Sequence, residues 1–335
     1  TACGPGKEYS MSKIKTSIGG QALIEGIMMR GPVKTAMAVR GPGGDIVLEE
    51  NPTKGANRPK ICRLPVIRGV FGMIDSLTVG YKCLMRSAEI SGMDEEENEK
   101  AAAKRAKKNE QRAAKGKPPL PEGPTLSDRL FNTLLMPLAT VLAVALAFGL
   151  FYWLPMQLWN WIAPNGTHSY FARACFEGVL RILIFVGYVW ATSLMKDIRR
   201  TYMYHGAEHK TIFCYEAGLP LTVENIRPQK RFHPRCGTSF LILTLIVSIV
   251  VSMFIRIDYM PLRMAVKLLT LPLIVGLGYE LIKLAGRHEN WLTRIISAPG
   301  MALQHLTVFE PDDSMIECAI AAMERVIPED GSDHI

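Results

Sequence analysis

Apolar residues are spread very unevenly along this chain of 335 residues. Four stretches approach the roughly 20 consecutive apolar positions that a helix needs to cross a bilayer. They run from Phe131 to Leu154, Gly178 to Met195, Thr238 to Ile257 and Met264 to Ala285. The first, FNTLLMPLATVLAVALAFGLFYWL, carries no charge and leads into Tyr152, Trp153, Trp159 and Trp161, the aromatic belt of a membrane interface. The third, TSFLILTLIVSIVVSMFI, is equally free of charge. The second and fourth have Arg181, Lys267 and Lys283 near their edges, where long basic side chains can reach the interface. The pattern predicts four transmembrane helices.

The polar parts of the chain have a different texture. Between Ser17 and Asn51 the text is glycine-rich, with two β-like runs, TAMAVR and DIVLE, separated by GPGG, which predicts a hairpin. From Arg63 to Ile90, residues Ile67, Val70, Phe71, Ile74, Leu77, Tyr81, Leu84 and Met85 recur at helical spacing. Such a helix either packs on its own domain or lies in the membrane interface. An acidic block, Asp94 to Glu99, and the basic run KAAAKRAKKNEQRAAKGK follow, as expected of a solvated linker. Near the C-terminus, Asp312 to Ser314 offer a cap for a helix with Ile316, Ala319, Ile320 and Met323 on one face.

These elements assemble into a mainly α membrane protein with a small α+β N-terminal domain. Residues 1–16 are expected to be disordered, and 17–90 to hold the hairpin and the amphipathic helix. Residues 91–127 form the linker, and 128–290 the four-helix membrane domain with a motif-bearing loop at 196–237. Residues 291–335 form a helical C-terminal segment.

Charge orients the spans. The segment from Lys196 to Arg235 holds Lys196, Arg199, Arg200, Lys210, Arg227, Lys230, Arg231 and Arg235, whereas the loop from Trp159 to Glu177 holds only Arg173. Lysine and arginine gather on the cytoplasmic side. The expectation is therefore an integral cell-membrane protein with both termini and the 196–237 loop cytoplasmic. The net charge of +8 favours anionic lipid, or a protein partner at the basic face; nucleic acid is expected only by way of a ribosome. The seven cysteines show no CxxC pair, and all but Cys175 fall on the reducing side, so no disulfide framework is expected.

The chemistry concentrates in YHGAEHKTIFCYE, Tyr204 to Glu216, on a helix expected to continue from the second span to a stop at Gly218. His205 and His209 stand one turn apart on one face with Glu208 beside them. Two imidazoles so placed can reach one zinc ion, and His205-x-x-Glu208-His209 matches the HxxEH pattern in which the glutamate is general base. His233 and Cys236 in HPRCG supply two further competent ligands before the third span, and Glu280 lies near the cytoplasmic end of the fourth. The topology lets all six converge, with His288 and Glu289 nearby as spare ligands. The expected cofactor is Zn2+ or another divalent transition metal, and the rival reading is a purely structural cluster of hydrogen bonds.

The texts GGQALIEGIMMRGP, LPVIRG, HGAEHKTIFCYEAG, LTVENI, HPRCGTSF, GYELIKLAG and PGMALQHLT with EPDDSMIECAIAA resemble the bacterial YqhQ-like membrane protein family. The resemblance covers nearly the whole chain outside the linker. It implies an integral membrane protein of a family with no defined function, whose members are predicted to be metal-dependent enzymes. One departure is LTVFEPDD, where Phe309 stands in place of a basic residue. Two functions follow: a metal-dependent hydrolase at the cytoplasmic membrane face, or a non-catalytic scaffold docking a translocon, ribosome or other membrane complex. Transport fits less well, because mid-membrane polar residues are few.

Overall fold

The computed structural model describes residues 14–53, 59–93, 135–163, 169–287 and 290–334, with isolated positions between 102 and 112. Most of the 91–127 linker, nearly all of the N-terminal segment, and His288 and Glu289 lie outside the described residues. The chain divides into two compact units, one of residues 1–91, 188–247 and 268–335, the other of residues 92–187 and 248–267.

The first unit is built on an antiparallel meander, β1 (Gly19–Leu23), β2 (Gly26–Arg30), β3 (Lys34–Arg40) and β4 (Ile46–Pro52), paired in chain order. The expected hairpin is β3–β4, turning through Gly41 to Asp45 with Gly44 at φ 86°. The glycine-rich text before it forms two further strands, joined by a two-residue turn in which Glu25 takes φ 50°. Alternation along β2 and β3 explains what covers the sheet. Ile27, Met29, Ala36 and Ala38 point to one side, and Met28, Met37 and Val39 to the other.

The first side packs against α5 (Lys196–Glu216) and α11 (Asp313–Glu324), burying Tyr204, Ala207, Met315, Ile316, Ala319 and Met323. The second side meets α1 (Ile67–Ile90) through Val79, Cys83 and Leu84. Helix α1 still exposes Ile74, Leu77, Tyr81 and Met85, so it both packs on its own domain and keeps an apolar face uncovered among the described residues. Its entry is fastened at Val66, held at φ 69°, whose amide donates to Glu280 Oε1 at 3.2 Å. A β-branched residue at positive φ is a backbone outlier that surrounding contacts must hold in place.

The second unit contains α2 (Met136–Phe148), a π-helical turn (Gly149–Trp153), α3 (Leu154–Ile162), most of α4 (Tyr170–Ser193) and α8 (Met260–Leu269). Among the described residues two helices are long and apolar enough to cross a membrane, Pro137–Ile162 with 26 residues and Tyr170–Ser193 with 24. A third candidate is the pair formed by α8 and α9 (Leu271–Arg287), bent by 41°. Pro272 explains the bend, since it has no amide to continue the helical ladder across Thr270.

The third apolar run forms α7 (Gly237–Met253), only 17 residues long. Its letters stay apolar through Ile255, but the helix ends at Met253 and Phe254 and Ile255 lie in a turn. Among the described residues there are thus two or three span candidates where four are expected from apolar letters alone. The second run also differs: α4 stops at Ser193, and α5 starts anew at Lys196 after an extended Met195.

Candidate metal centre

The buried stretch of α5 from Tyr204 to Ile212 carries the centre. Gly206 lets the helix approach the chain at Phe309, because a Cβ there would collide with the Phe309 carbonyl oxygen. The Phe309 amide bonds the Tyr202 carbonyl at 3.0 Å, and the Phe309 ring carries the Arg199 guanidinium 4.4 Å from its centroid. Phe309 therefore packs against the helix that bears the site.

His205 Nδ1 lies 2.9 Å from the carbonyl oxygen of Thr307, at the end of α10 (Trp291–Thr307). A carbonyl can only accept, so Nδ1 carries the proton and Nε2 faces Cys236 Sγ, 3.1 Å away. His209 repeats the arrangement, with Nδ1 2.5 Å from the Arg231 carbonyl. Its Nε2 is buried and has no hydrogen-bond partner among the described residues. Fixing the distal ring nitrogen on an outer acceptor is how proteins aim an imidazole lone pair at a metal.

Cys236 immediately precedes α7, and its sulfur accepts the Thr238 amide at 3.4 Å. Helix N-termini favour thiolate. Burial pushes this thiol up, but the imidazoles of His205 and His209 outweigh it and hold Cys236 well below the usual thiol range. Burial works against charging His205, yet the adjoining sulfur raises it to about 9. The sulfur and the imidazole thus each favour the charged form of the other.

His205, His209 and Cys236 each offer one ligand atom, and all three atoms lie within 4.8 Å of one another. Around a tetrahedral zinc, such atoms stand about 3.3 to 3.6 Å apart, so a small contraction would close the set. Glu208, on the same face, gives Oε1 to the Gly20 amide at 3.0 Å, while its buried Oε2 has no partner. Burial pushes its carboxyl above the ordinary value, and the two histidines pull the other way. Two neutral imidazoles, one thiolate and one carboxylate balance a dication in charge. The residues thus fit a divalent transition metal, and His209 Nε2 and Glu208 Oε2 are buried without a hydrogen-bond partner among the described residues.

The geometry leaves two of the expected ligands outside this group. His233 accepts the Arg235 amide on Nδ1 at 3.2 Å, lies tilted against the Phe213 ring, and presents Nε2 to Glu216 at 3.7 Å. Glu280 has its oxygens taken by the Arg68 guanidinium and the Val66 amide. It holds the entry of α1.

Two other residues of the site are not candidate ligands in the sequence. Gln304, fully buried on α10, bonds both the amide and the carbonyl of His233 at 2.8 Å and Ser239 Oγ at 3.0 Å, pinning the HPRCG turn. Gly20 holds Glu208 through its amide alone. A glutamine amid the apolar positions of PGMALQHLT was the available signal for the first; the second had none.

A cavity of about 390 Å3 adjoins the cluster, with Gly19, Gly20, Glu208, His209, Arg235 and Cys236 among its walls. The cavity thus brings a small molecule up to the residues Glu208, His209 and Cys236 from one side.

Comparison with known proteins places the chain. Residues 64–329 match the family described as "Protein of unknown function (DUF1385)". The chain is 30% identical over 322 residues to the "Uncharacterized protein YqhQ" of Bacillus subtilis (strain 168), covering 95% of this chain and 94% of that protein. No solved structure matches. The match runs through the Cys/His cluster, and the chain belongs to the YqhQ-like DUF1385 family of proteins of unknown function.

Proposed function

We propose that the protein is a metal-dependent hydrolase of the cell membrane, working on its cytoplasmic face with His205, His209 and Cys236 as ligands and Glu208 as the acid–base group. The observation that carries this reading is the pair of imidazoles anchored through Nδ1 on the Thr307 and Arg231 carbonyls, with both Nε2 atoms turned inward and that of His209 unpaired. A scaffold has no need of such an arrangement, since a buried nitrogen without a partner costs free energy.

Three protein ligands leave a fourth position open, the pattern of catalytic rather than structural zinc sites. A bound divalent ion would supply Lewis-acid polarisation of a substrate oxygen and lower the pKa of water at the site. The protein's own groups supply the rest. Glu208 is aimed by the Gly20 amide on Oε1, which leaves Oε2 to take a proton from a water in the cavity and hand it to the leaving group. The Gly19–Gly20 edge of β1 and Arg235 line the cavity in which the substrate would sit.

The membrane part of the proposal is a four-span arrangement, with α7 as a short span and the α8–α9 pair as a bent one, and with both termini cytoplasmic. The apolar face of α1 suits the interfacial plane.

Metal analysis of the purified full-length protein tests the proposal. About one transition-metal ion per chain is expected, lost in the His205→Ala/His209→Ala double variant and kept in Glu208→Gln. Metal-free wild-type protein would sink it. The Cys236–His205 contact supports a second reading, a thiolate nucleophile activated by its imidazole neighbour. That reading wins if no metal is found and Cys236 is selectively alkylated near neutral pH.

A further inference from the structure

A second concentration of buried charge lies in the other unit. Along α4, Arg173, Glu177 and Arg181 recur every fourth residue and so share one face. On α8, Arg263 and Lys267 do the same. The five side chains gather around Glu177, with Glu177, Arg181 and Arg263 buried and Arg173 and Lys267 partly so. Glu177, 2% exposed, receives Arg173 Nε on one oxygen at 3.0 Å, and Arg181 Nη2 at 3.1 Å and Lys267 Nζ at 2.7 Å on the other.

Arg181 is not reaching for an interface. It is held in place by a defect in the first span. Pro155 has no amide to offer the Phe151 carbonyl, and that oxygen instead accepts Arg181 Nε at 2.8 Å. The π-helical turn at Gly149–Trp153 lies against the same proline. The chain is thus shaped to carry a guanidinium inside, where one carboxylate already serves three cations.

Arg263 is the fourth cation. It is only 5% exposed, its Nη2 donates to Met156 Sδ at 2.8 Å, and its Nη1 has no hydrogen-bond partner among the described residues. It lies within electrostatic range of Arg173, Glu177 and Asp258. Asp258 bonds the Tyr170 hydroxyl at the surface, and even counted in full it leaves these groups, among the described residues, with a surplus of two positive charges. Buried charge without a counterion is strongly unfavourable.

We infer that Arg173, Arg181, Arg263 and Lys267, gathered around Glu177, form a binding site for a phosphate-bearing anion. Guanidinium forks match phosphate oxygens in shape and charge, and a multiply charged group meets a surplus of two better than a carboxylate does. The phosphate can belong to a lipid headgroup or be free in solution. The site is independent of the metal reading, since it shares no residue with the His/Cys cluster.

Native mass spectrometry of the full-length protein in detergent, titrated separately with phosphatidylglycerol and with inorganic phosphate, tests the site. One equivalent of either probe is expected to bind, and Arg263→Gln is expected to weaken it by about 10- to 100-fold, the range for hydrogen bonds to charged groups. Binding of phosphatidylglycerol alone assigns the phosphate to a lipid headgroup; binding of inorganic phosphate assigns it to a soluble anion. Because loss of a buried arginine can unfold the helices, Glu177→Gln is the second variant. It deletes the internal counterion and should tighten the same probe. Binding of neither probe, or affinity unchanged in both variants, overturns the inference.

Discussion

The Gly20 amide and the Glu208 carboxylate, 188 residues apart, meet at 3.0 Å, so a strand edge aims an acid on a helix. The contact depends on the absence of a side chain. A Cβ on residue 20 would lie 2.7 Å from the Met28 carbonyl, 2.9 Å from Met29 Sδ and 3.0 Å from the Glu208 carboxyl carbon. Gly20→Ala should therefore destabilise the protein by about 1 to 3 kcal/mol, the usual cost of overpacking, read as a lower thermal midpoint. Metal content should be unchanged, since Gly20 touches no ligand atom.

Ligand assignment divides along the observed geometry. Cys236→Ala should abolish stoichiometric metal binding. His233→Ala and Glu280→Gln should each retain it, because one ring is bonded to Arg235 and Glu216 and the other carboxylate to Arg68. Elemental analysis of the three variants decides; loss of metal in Glu280→Gln alone would place the site elsewhere.

The helix that bears the site should respond to its glycine. Gly206→Ala drives a methyl group into the Phe309 carbonyl, and α5 must then move away from the Thr307–Phe309 segment that anchors His205. Loss of such an outer anchor typically costs 10- to 100-fold in metal affinity. Competition with a chromogenic chelator measures the effect, and unchanged affinity would separate the helix position from the site.

Acid stability should depend on Glu216. Burial pushes its carboxyl up, but His233, Arg235 and the Thr16 amide together pull it below its ordinary value of 4.5. A carboxylate depressed by folding contributes stability that is present above its unfolded pKa and is lost as pH falls through the folded value. The protein should thus lose stability below about pH 4.5. Glu216→Gln should be less stable than the parent at neutral pH and show a flatter acid limb in thermal unfolding; an unchanged limb would remove Glu216 from the acid response.

How much of this was legible before folding varies by residue. The HxxEH text and Cys236 stood out because helical spacing and ligand chemistry are local properties, and they form the observed triad with Glu208 beside it. His233 and Glu280 have the right chemistry and the right end of the chain, but long-range partners, Arg235 with Glu216 and Arg68 with Val66, decide where they point. The β3–β4 hairpin was readable from GPGG between alternating runs. Strands β1 and β2 were not, since glycine and methionine are weak strand signals and tertiary burial on both faces of β2 overrides them. Apolar letters indicated the spans but not their ends. Pro272 and the turn after Met253 divide runs that hydropathy treats as continuous.

Pro155 and Arg181 are two halves of one heritable character. A residue with an amide at 155 would offer the Phe151 carbonyl a backbone donor in competition with the guanidinium, leaving a buried cation with one anchor fewer. Loss of the arginine alone would leave the carbonyl without its side-chain donor in the interior. Neither position can drift by itself without cost, whereas their joint replacement by two ordinary apolar residues would restore a plain helix and remove a cation from around Glu177. Relatives that have given up the anion should show both changes together.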